Sequence, residues 1–540
     1  KESHLAIAPD SRLTQLQEQH NVYVALTRAW DFLQISYPLA DGEGKAKRPS
    51  QVVGQIKELF PKVKEEFKGM DLPAPGDEAL DSITSEKKAA ALLSRVFQRS
   101  RGGQQIGGFW LDVYEWLVSE PGRRKDASFI LGSLGFSNDA GKLSKPVIEG
   151  YIKERLRTSV TRLEKFASCP FAHFAGSILG LKERELYKLE PPGMGMFMHE
   201  AMNRLFSELE DSKRLAAMEQ SEIADLVKGI VDELAPKLQN EILLSSARYR
   251  YMARVLERIL NNAVAVLAEH EKHSSFQPIE HEVVFGEPGG MPALSIPLET
   301  GGSLAIRGRI DRVDIAESED SCYVRVIDYK SSPKSLRLHD VYYGLTLQLL
   351  VYLLVVVENW KKSKGTEVLP AGALYFPIID PFVSADGPID DDELEEERMK
   401  KLRMNGIIIG GKDVIQLMDS QVEAGRESKL IAAGITKKGL PSKRSKASVI
   451  DSEKYEVLSE FLKDKLKDLA EEIRRGEIGI KPYRKGTKRA CEHCSYKPVC
   501  GFDILIRGNT YRNLRRLEDD EFWSVIQGQG CASGGKGEKV

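Results

Sequence analysis

Between Arg307 and Ser332 the chain reads RGRIDRVDIAESEDSCYVRVIDYKSS. Three of its side chains, Asp311, Asp328 and Lys330, are of the kinds that act on phosphate esters. Two carboxylates attract a hard cation such as Mg²⁺, which keeps several waters and also takes substrate phosphate oxygens. A lysine beside them can steady the attacking water or the charge that develops on the phosphate. The stretch reads as two apolar-rich strands joined by a polar turn, Glu317 to Ser321. Side chains alternate along a strand, so Asp328 and Lys330 share a face while Tyr329 points to the other. A symmetric hairpin sets Asp311 opposite or diagonal to Asp328 on that face, within roughly 8 Å. An Asp-x-Lys alone is an ordinary solvated strand end; pairing with a second acidic strand is what raises the signal.

The elements on either side supply further candidates. A loop with Pro191, Pro192, Gly193 and Gly195 leads into the helix MFMHEAMNRLFSEL. His199 lies in its first turns, as a packed core residue or as a metal ligand. A helix from Leu338 to Asn359 carries Gln348 and Tyr352 four residues apart on one face. In the strand Pro278 to Phe285, Glu280 and Glu282 share a face; Glu282 is either an extra ligand or solvated, and solvated is the expectation. Asp314 is as eligible as Asp311 on residue type alone. Two long helices over 219–272 show core periodicity through Leu256, Leu260, Ala263 and Leu267. The acidic loop Asp386 to Glu397 reads as solvated. The basic loop with Lys437, Lys438, Lys443, Arg444 and Lys446 suits a DNA backbone.

Cys491, Cys494 and Cys500 are spaced C-x₂-C-x₅-C. Three thiols so close signal a metal or an iron–sulfur cluster. His493 is poorly placed to ligate with them, so the fourth thiolate should come from a distance. Cys169 is the natural candidate, because Cys322 lies in the hairpin and Cys531 in a Gly/Ser/Lys tail.

Bulk composition bounds the rest. The chain has 540 residues, 41% hydrophobic, with a net charge of −2. That is enough for two to four domains and excludes a polybasic nucleic-acid binder, so DNA contacts must be local. No apolar run is long enough for a membrane span, and six cysteines in this length do not make a secreted disulfide scaffold. A cytoplasmic protein is expected. The opening KESHLAIAPD lacks an initiator Met, which suggests a piece of a longer polypeptide. A helix from Arg12 to Arg28 should lead into a strand, Phe32 to Tyr37. Within it, Tyr23 to Ala29 (YVALTRA) resembles the last motif of superfamily-1 DNA helicases, whose arginine reaches the ATP γ-phosphate; Arg28 matches it. No Walker A pattern is present, so ATP would enter only through a complete complex.

Taken together, these motifs resemble the AddB subunits of bacterial AddAB helicase-nucleases, over nearly everything from His20 to Leu517. The resemblance implies an α/β fold: a PD-(D/E)xK nuclease of the RecB type, a central mixed sheet flanked by helices. It implies that His199, Asp311 and Asp328 bind a divalent metal, Mg²⁺ or Mn²⁺, with the Tyr329 carbonyl completing the site. Lys330 would be the catalytic lysine, and Gln348 and Tyr352 would orient the DNA strand or the site. Asp314 falls outside the family's motif, which implies a structural role. Cys169, Cys491, Cys494 and Cys500 match the family's [4Fe–4S] ligands, a structural staple; zinc is the alternative. The implied activity is a metal-dependent single-strand DNA exonuclease acting in double-strand break repair, degrading the 5′-ended strand beside an AddA-like partner in a heterodimer. The rival is a DNA-binding scaffold with an inactive nuclease fold. The expected organisation is the end of a motor domain over 1–40, a helical connection over 41–160, the nuclease with its cluster over 161–510, and a tail over 511–540.

Overall fold

The structure is a computed structural model. It describes residues 11–528 except 42–44, 68–76, 101–102, 104, 120, 135–136, 153, 185–186, 210–214, 239–240, 319–320, 364–366, 385–386, 388–389, 443–446, 505 and 507. Lys443, Arg444, Lys446 and Cys531 therefore lie outside the described residues. The chain forms two compact units, Lys1–Gly135 and Phe136–Val540.

The first unit begins with the expected helix, Ser11–Thr27, none of whose residues is buried. The strand expected over 32–37 does not form. A strand needs a neighbouring edge; here Phe32, Leu33 and Ile35 stay exposed. Further on, the helices Glu86–Ser100, Gly108–Ser119 and Pro121–Leu134 bury Leu93, Phe97, Trp110, Leu117 and Ile130 in a small core of their own.

The second unit is built on a mixed sheet. Its strands are β1 (Arg155–Ser159), β2 (Gln277–Phe285), β3 (Leu294–Pro297), β4 (Ser303–Glu317), β5 (Ser321–Lys330), β6 (Glu367–Pro377), β7 (Asn405–Ile409) and β8 (Ser448–Ile450). The order is β1-β4-β5-β6-β7-β8, with β2 and β3 also pairing with β4. The long β4 is the hub: its first part pairs with β1 and β3, its later part with β2 and β5. β5 is central, antiparallel to β4 and parallel to β6. It alternates into two cores because both faces are covered. One core joins Val324 and Val326 to the helices Val160–Ser168, Gln348–Ser363 and Ser452–Arg474. The other joins Ile327 and Tyr329 to the helices Pro191–Glu208, Gln220–Leu234 and Ala247–His273.

Several boundaries move from those read in the sequence. β1 precedes position 161 yet belongs to the sheet, held along Ser303–Arg307. The helix expected over 338–359 breaks into Leu338–Tyr342 and Gln348–Ser363. Gly344 turns the chain between them at φ 75°, where a side chain would press on Ala167 and Leu469. The acidic stretch is largely helical, Asp391–Leu402, because Asp390 caps it by accepting from the Glu393 amide at 2.8 Å. Part of the tail is also structured. Helix Asp519–Ile526 buries Phe522 and Trp523 in the main core.

Candidate active site

The β4–β5 ladder runs through Arg312↔Ile327, and one further step sets Asp311 against Asp328. The two carboxylates therefore face one another where the strands begin to part. Asp311 is fixed by the Tyr329 amide, which donates to its Oδ2 at 2.8 Å. Asp328 is 1% exposed. Its Oδ1 accepts from Gln348 Nε2 at 3.2 Å, and its Oδ2 pairs with Lys330 Nζ. The broken helix now makes sense. It places Gln348 at a helix start, pointing at Asp328, with Tyr352 one turn on and its hydroxyl 3.2 Å from the same amide nitrogen.

His199 comes from the other side of the sheet end. Its helix starts with Pro191 and Pro192 in the first turn, where proline is tolerated because the missing N–H had no partner. Its Nδ1 lies 3.4 Å from Asp311 Oδ2. Gly195, a turn earlier, faces the segment after Lys330: a Cβ there would meet Ser331 Oγ at 3.2 Å.

Glu282 departs from the sequence reading. Ligand atoms of His199, Glu282 and Asp311 all lie within 4.8 Å of one another. The β2–β4 register places Glu282 across from Asp311, between the pairs His281↔Arg312 and Val283↔Ile310. Its backbone takes φ 51°, a rare conformation for a residue with a side chain and a mark of local strain. Its carboxylate is held by Arg309 at 3.1 Å. No periodicity distinguishes Glu282 from Glu280; only the partner register does. Lys334 was also missed. It is half-buried, with Nζ 5.0 Å from the centroid of the Tyr375 ring, which Lys330 Nζ also faces at 5.8 Å.

Electrostatics reflect the crowding. Burial and then the Asp311 charge push Asp328 up to about 6, against the pull of Lys330. Burial and Asp311 also raise Glu282, opposed by Arg309. For His199, burial favours the neutral ring, but the hydrogen bond and charge of Asp311 prevail and its pKa rises. Burial and then Lys330 lower Lys334. The donor set of two crowded carboxylates, from Glu282 and Asp311, and the His199 imidazole fits one hard divalent cation, while the Asp328 carboxylate beside them is taken up by Gln348 and Lys330.

Cys169, Cys494 and Cys500 lie near enough to Cys491 for their charges to act on it. Burial raises Cys491 to about 11, and the charges of Cys169, Cys494 and Cys500 add to it. Burial also raises Cys169, while nearby backbone amides, that of Ala172 first, work to lower it. The Phe502 amide donates to Cys500 Sγ at 3.4 Å. N–H groups aimed at sulfur favour thiolate, the form that ligates metals. Asn138 Nδ2 donates to the Cys500 carbonyl at 2.8 Å, and the Phe171 amide to Gly479 O at 3.2 Å. Segments separated by more than 300 residues thus meet at one corner. Arg28 lies in the first unit, exposed just beyond the end of its helix.

Sheet, acidic centre and lysine define a class of nuclease, and comparison with known families agrees. Residues 157–501 match the PD-(D/E)XK nuclease superfamily; the chain belongs to that superfamily, whose fold works with a divalent metal. Residues 75–133 match the fifth domain of the ATP-dependent helicase/deoxyribonuclease AddB. More particularly, the chain is similar to proteins named as the B subunits of ATP-dependent helicase/deoxyribonucleases. It is 39% identical to that of Desulforudis audaxviator over 97% of this chain and 45% of the relative. For Thermoanaerobacter sp. strain X514 the values are 38%, 96% and 45%, and for Symbiobacterium thermophilum 39%, 100% and 46%. The chain therefore spans under half the length of the curated relatives it matches. Among the described residues no helix is long and apolar enough to cross a membrane.

Proposed function

We propose that this chain carries the nuclease of an AddB-type protein, a metal-dependent single-strand DNA exonuclease acting on the 5′-ended strand at double-strand breaks. It would act in a heterodimer with an AddA-like helicase-nuclease. The observation that supports this most is the meeting of His199, Glu282 and Asp311 ligand atoms within 4.8 Å, beside Asp328 and Lys330. A retired site has no need of that whole set.

His199, Asp311 and Asp328 would hold Mg²⁺ or Mn²⁺ together with the Tyr329 carbonyl, and Glu282 would be a further ligand. When bound, the cation would polarise a phosphate oxygen and acidify a water. The chain's own residues do the rest. Asp311, pinned by the Tyr329 amide, and Asp328, pinned by Gln348, define where the scissile phosphate lies. Lys330 holds positive charge beside that point, where it steadies the negative charge that develops. Tyr352 braces Gln348. Lys334 adds a second cation for a flanking phosphate.

The four cysteines suit a [4Fe–4S] cluster with a structural role, tying Cys169 to Cys491, Cys494 and Cys500. Zinc at the same thiols is the alternative; iron and sulfide content with broad visible absorbance supports the cluster, and one zinc in a colourless protein defeats it. Arg28 would complete a nucleotide site only in the whole helicase, so ATP enters through the full complex.

The test is strand-specific digestion by the assembled complex. Lys330→Ala is expected to lower degradation of one strand by about 100- to 1,000-fold and leave the other unchanged. Unaltered degradation of both strands would remove the assignment in favour of a scaffold with a silent nuclease fold.

A further inference from the structure

One short helix touches both the cysteine corner and the nuclease centre. It spans Val160–Ser168, with Ser159 at its N-cap accepting from the Arg162 amide at 3.4 Å. Leu163, Phe166 and Ala167 are buried in the main core and fix its rotation. The adjacent residues Glu164 and Lys165 leave the helix about 100° apart and reach two different places.

Lys165 reaches the cysteine loop. Its Nζ is 3.1 Å from Tyr496 Oη and 4.5 Å from the centre of that ring. Tyr496 lies between Cys494 and Cys500. Gly176 leaves the room for this contact, since a Cβ there would collide with Tyr496 Oη and Lys165 Nζ. The helix itself ends on Cys169, and Arg512 holds it by donating to the Ala167 carbonyl.

Glu164 reaches the other way. Its Oε1 accepts from the Leu347 amide at 2.6 Å and the Gln348 amide at 2.9 Å. These are amides at the start of the Gln348–Ser363 helix, which have no partner inside that helix. A carboxylate at a helix N-terminus is favourable in charge as well as in hydrogen bonding. Burial raises its pKa above the usual carboxylate value, and the two amides offset only part of that rise. The capped residue is the one whose side chain holds Asp328 Oδ1. Contacts therefore run unbroken from Tyr496 and Cys169, through a single helix, to Gln348 and Asp328.

We propose that Glu164 is a positioning residue of the nuclease centre, holding Gln348 on Asp328 by capping its helix, and that its own helix makes this hold depend on the cysteine corner. The inference rests on the nuclease reading above. Glu164 touches no reacting atom; it acts through Gln348. Disruption at the cysteines then reaches the active site by a defined route, through tilt or fraying of one helix.

The experiment uses the full-length protein in its complex, with Glu164→Ala, Glu164→Gln, Gln348→Ala and Cys169→Ser. Glu164→Ala should speed hydrogen exchange at the Leu347 and Gln348 amides while leaving β5 protected and visible absorbance unchanged. Its kcat on single-stranded DNA should fall about 10- to 100-fold, the scale of a misplaced catalytic geometry, with KM little altered. Glu164→Gln keeps an acceptor oxygen and should recover most of the rate. Adding Glu164→Ala to Gln348→Ala should cost little more than Gln348→Ala alone, because both act through one contact. Cys169→Ser should loosen the same two amides. Unchanged exchange and kcat in Glu164→Ala, or full additivity with Gln348→Ala, overturns the positioning role. Protected amides in Cys169→Ser overturn the dependence on the cysteines. Retained activity in Lys330→Ala instead overturns the nuclease reading, and the exchange data still decide whether Glu164 caps the helix.

Discussion

The two faces of the β4–β5 hairpin carry almost the same chemistry in opposite states of balance. On one face, Asp314 lies between Arg312 and Arg325, with Nε of Arg312 at 2.5 Å and Nη2 of Arg325 at 2.8 Å. All three are essentially buried. Arg312 rests on the Phe206 ring and Arg325 on the Phe276 ring, 5.3 and 4.6 Å from their centroids. Burial works against the charge of Asp314, but the two guanidiniums hold its pKa below the usual carboxylate value. On the other face, burial and then the charge of Asp311 push Asp328 up to about 6, although Lys330 pulls the other way. A buried carboxylate with more than enough cations is a structural part. One that is short of cations is poised to take another, and that is how a metal site differs from an ion pair.

The contrast is broken most severely at Asp314. Asp314→Ala strands two buried guanidiniums and should cost about 3–5 kcal/mol in denaturant unfolding. Asp328→Asn removes a repelled charge, so it should unfold no more easily than the parent while degradation of the affected strand is lost. If Asp314→Ala were no more destabilised than Asp328→Asn, the two faces would not differ in kind.

Glu282→Gln is a milder probe of the acidic face. It keeps the size and removes the charge, so the Mg²⁺ concentration for half-maximal activity should rise about ten-fold while the maximal rate at saturating metal largely survives. An unchanged metal requirement would leave Glu282 as a partner of Arg309 only.

The smallest effect concerns pH and the closed face. His270 is fully buried near Arg325, Arg312, Asp314 and Phe376, and burial followed by the charge of Arg325 lowers its pKa well below 6.5. The native state thus keeps it neutral while the unfolded chain takes up a proton below pH 6.5. Stability should be complete above that value and decline as pH falls beneath it. His270→Leu should flatten this acid limb in melting curves recorded from pH 7 to 5; a limb of unchanged slope would assign it to other groups.

Much of the site was legible in the sequence because strand alternation is a strict rule. It placed Asp328 and Lys330 on one face, and a hairpin turn brought Asp311 across. The choice between ligand and solvated for Glu282 was not legible, because Glu280 and Glu282 alternate identically and only the register against β4 selects the one that meets His199. The position of Gln348 was misread within a continuous helix. Apolar periodicity runs through Leu345 and Leu347, and only the turn at Gly344, pressed against Ala167, reveals the break. Nor does local sequence pair Arg325 with Asp314, since a charge in a strand carries no mark of its partner.

By itself, the sequence determined which groups can do chemistry: the thiols and their spacing, the Asp-Tyr-Lys strand, and the absence of a Walker A loop. These are covalent facts, fixed by residue type and order. Tertiary structure decided which carboxylates are satisfied and which are left wanting a cation. That balance depends on burial and on distances between segments far apart in the chain. Asp314 and Asp328 are the same residue in the same hairpin, and only their surroundings make one a brace and leave the other short of cations.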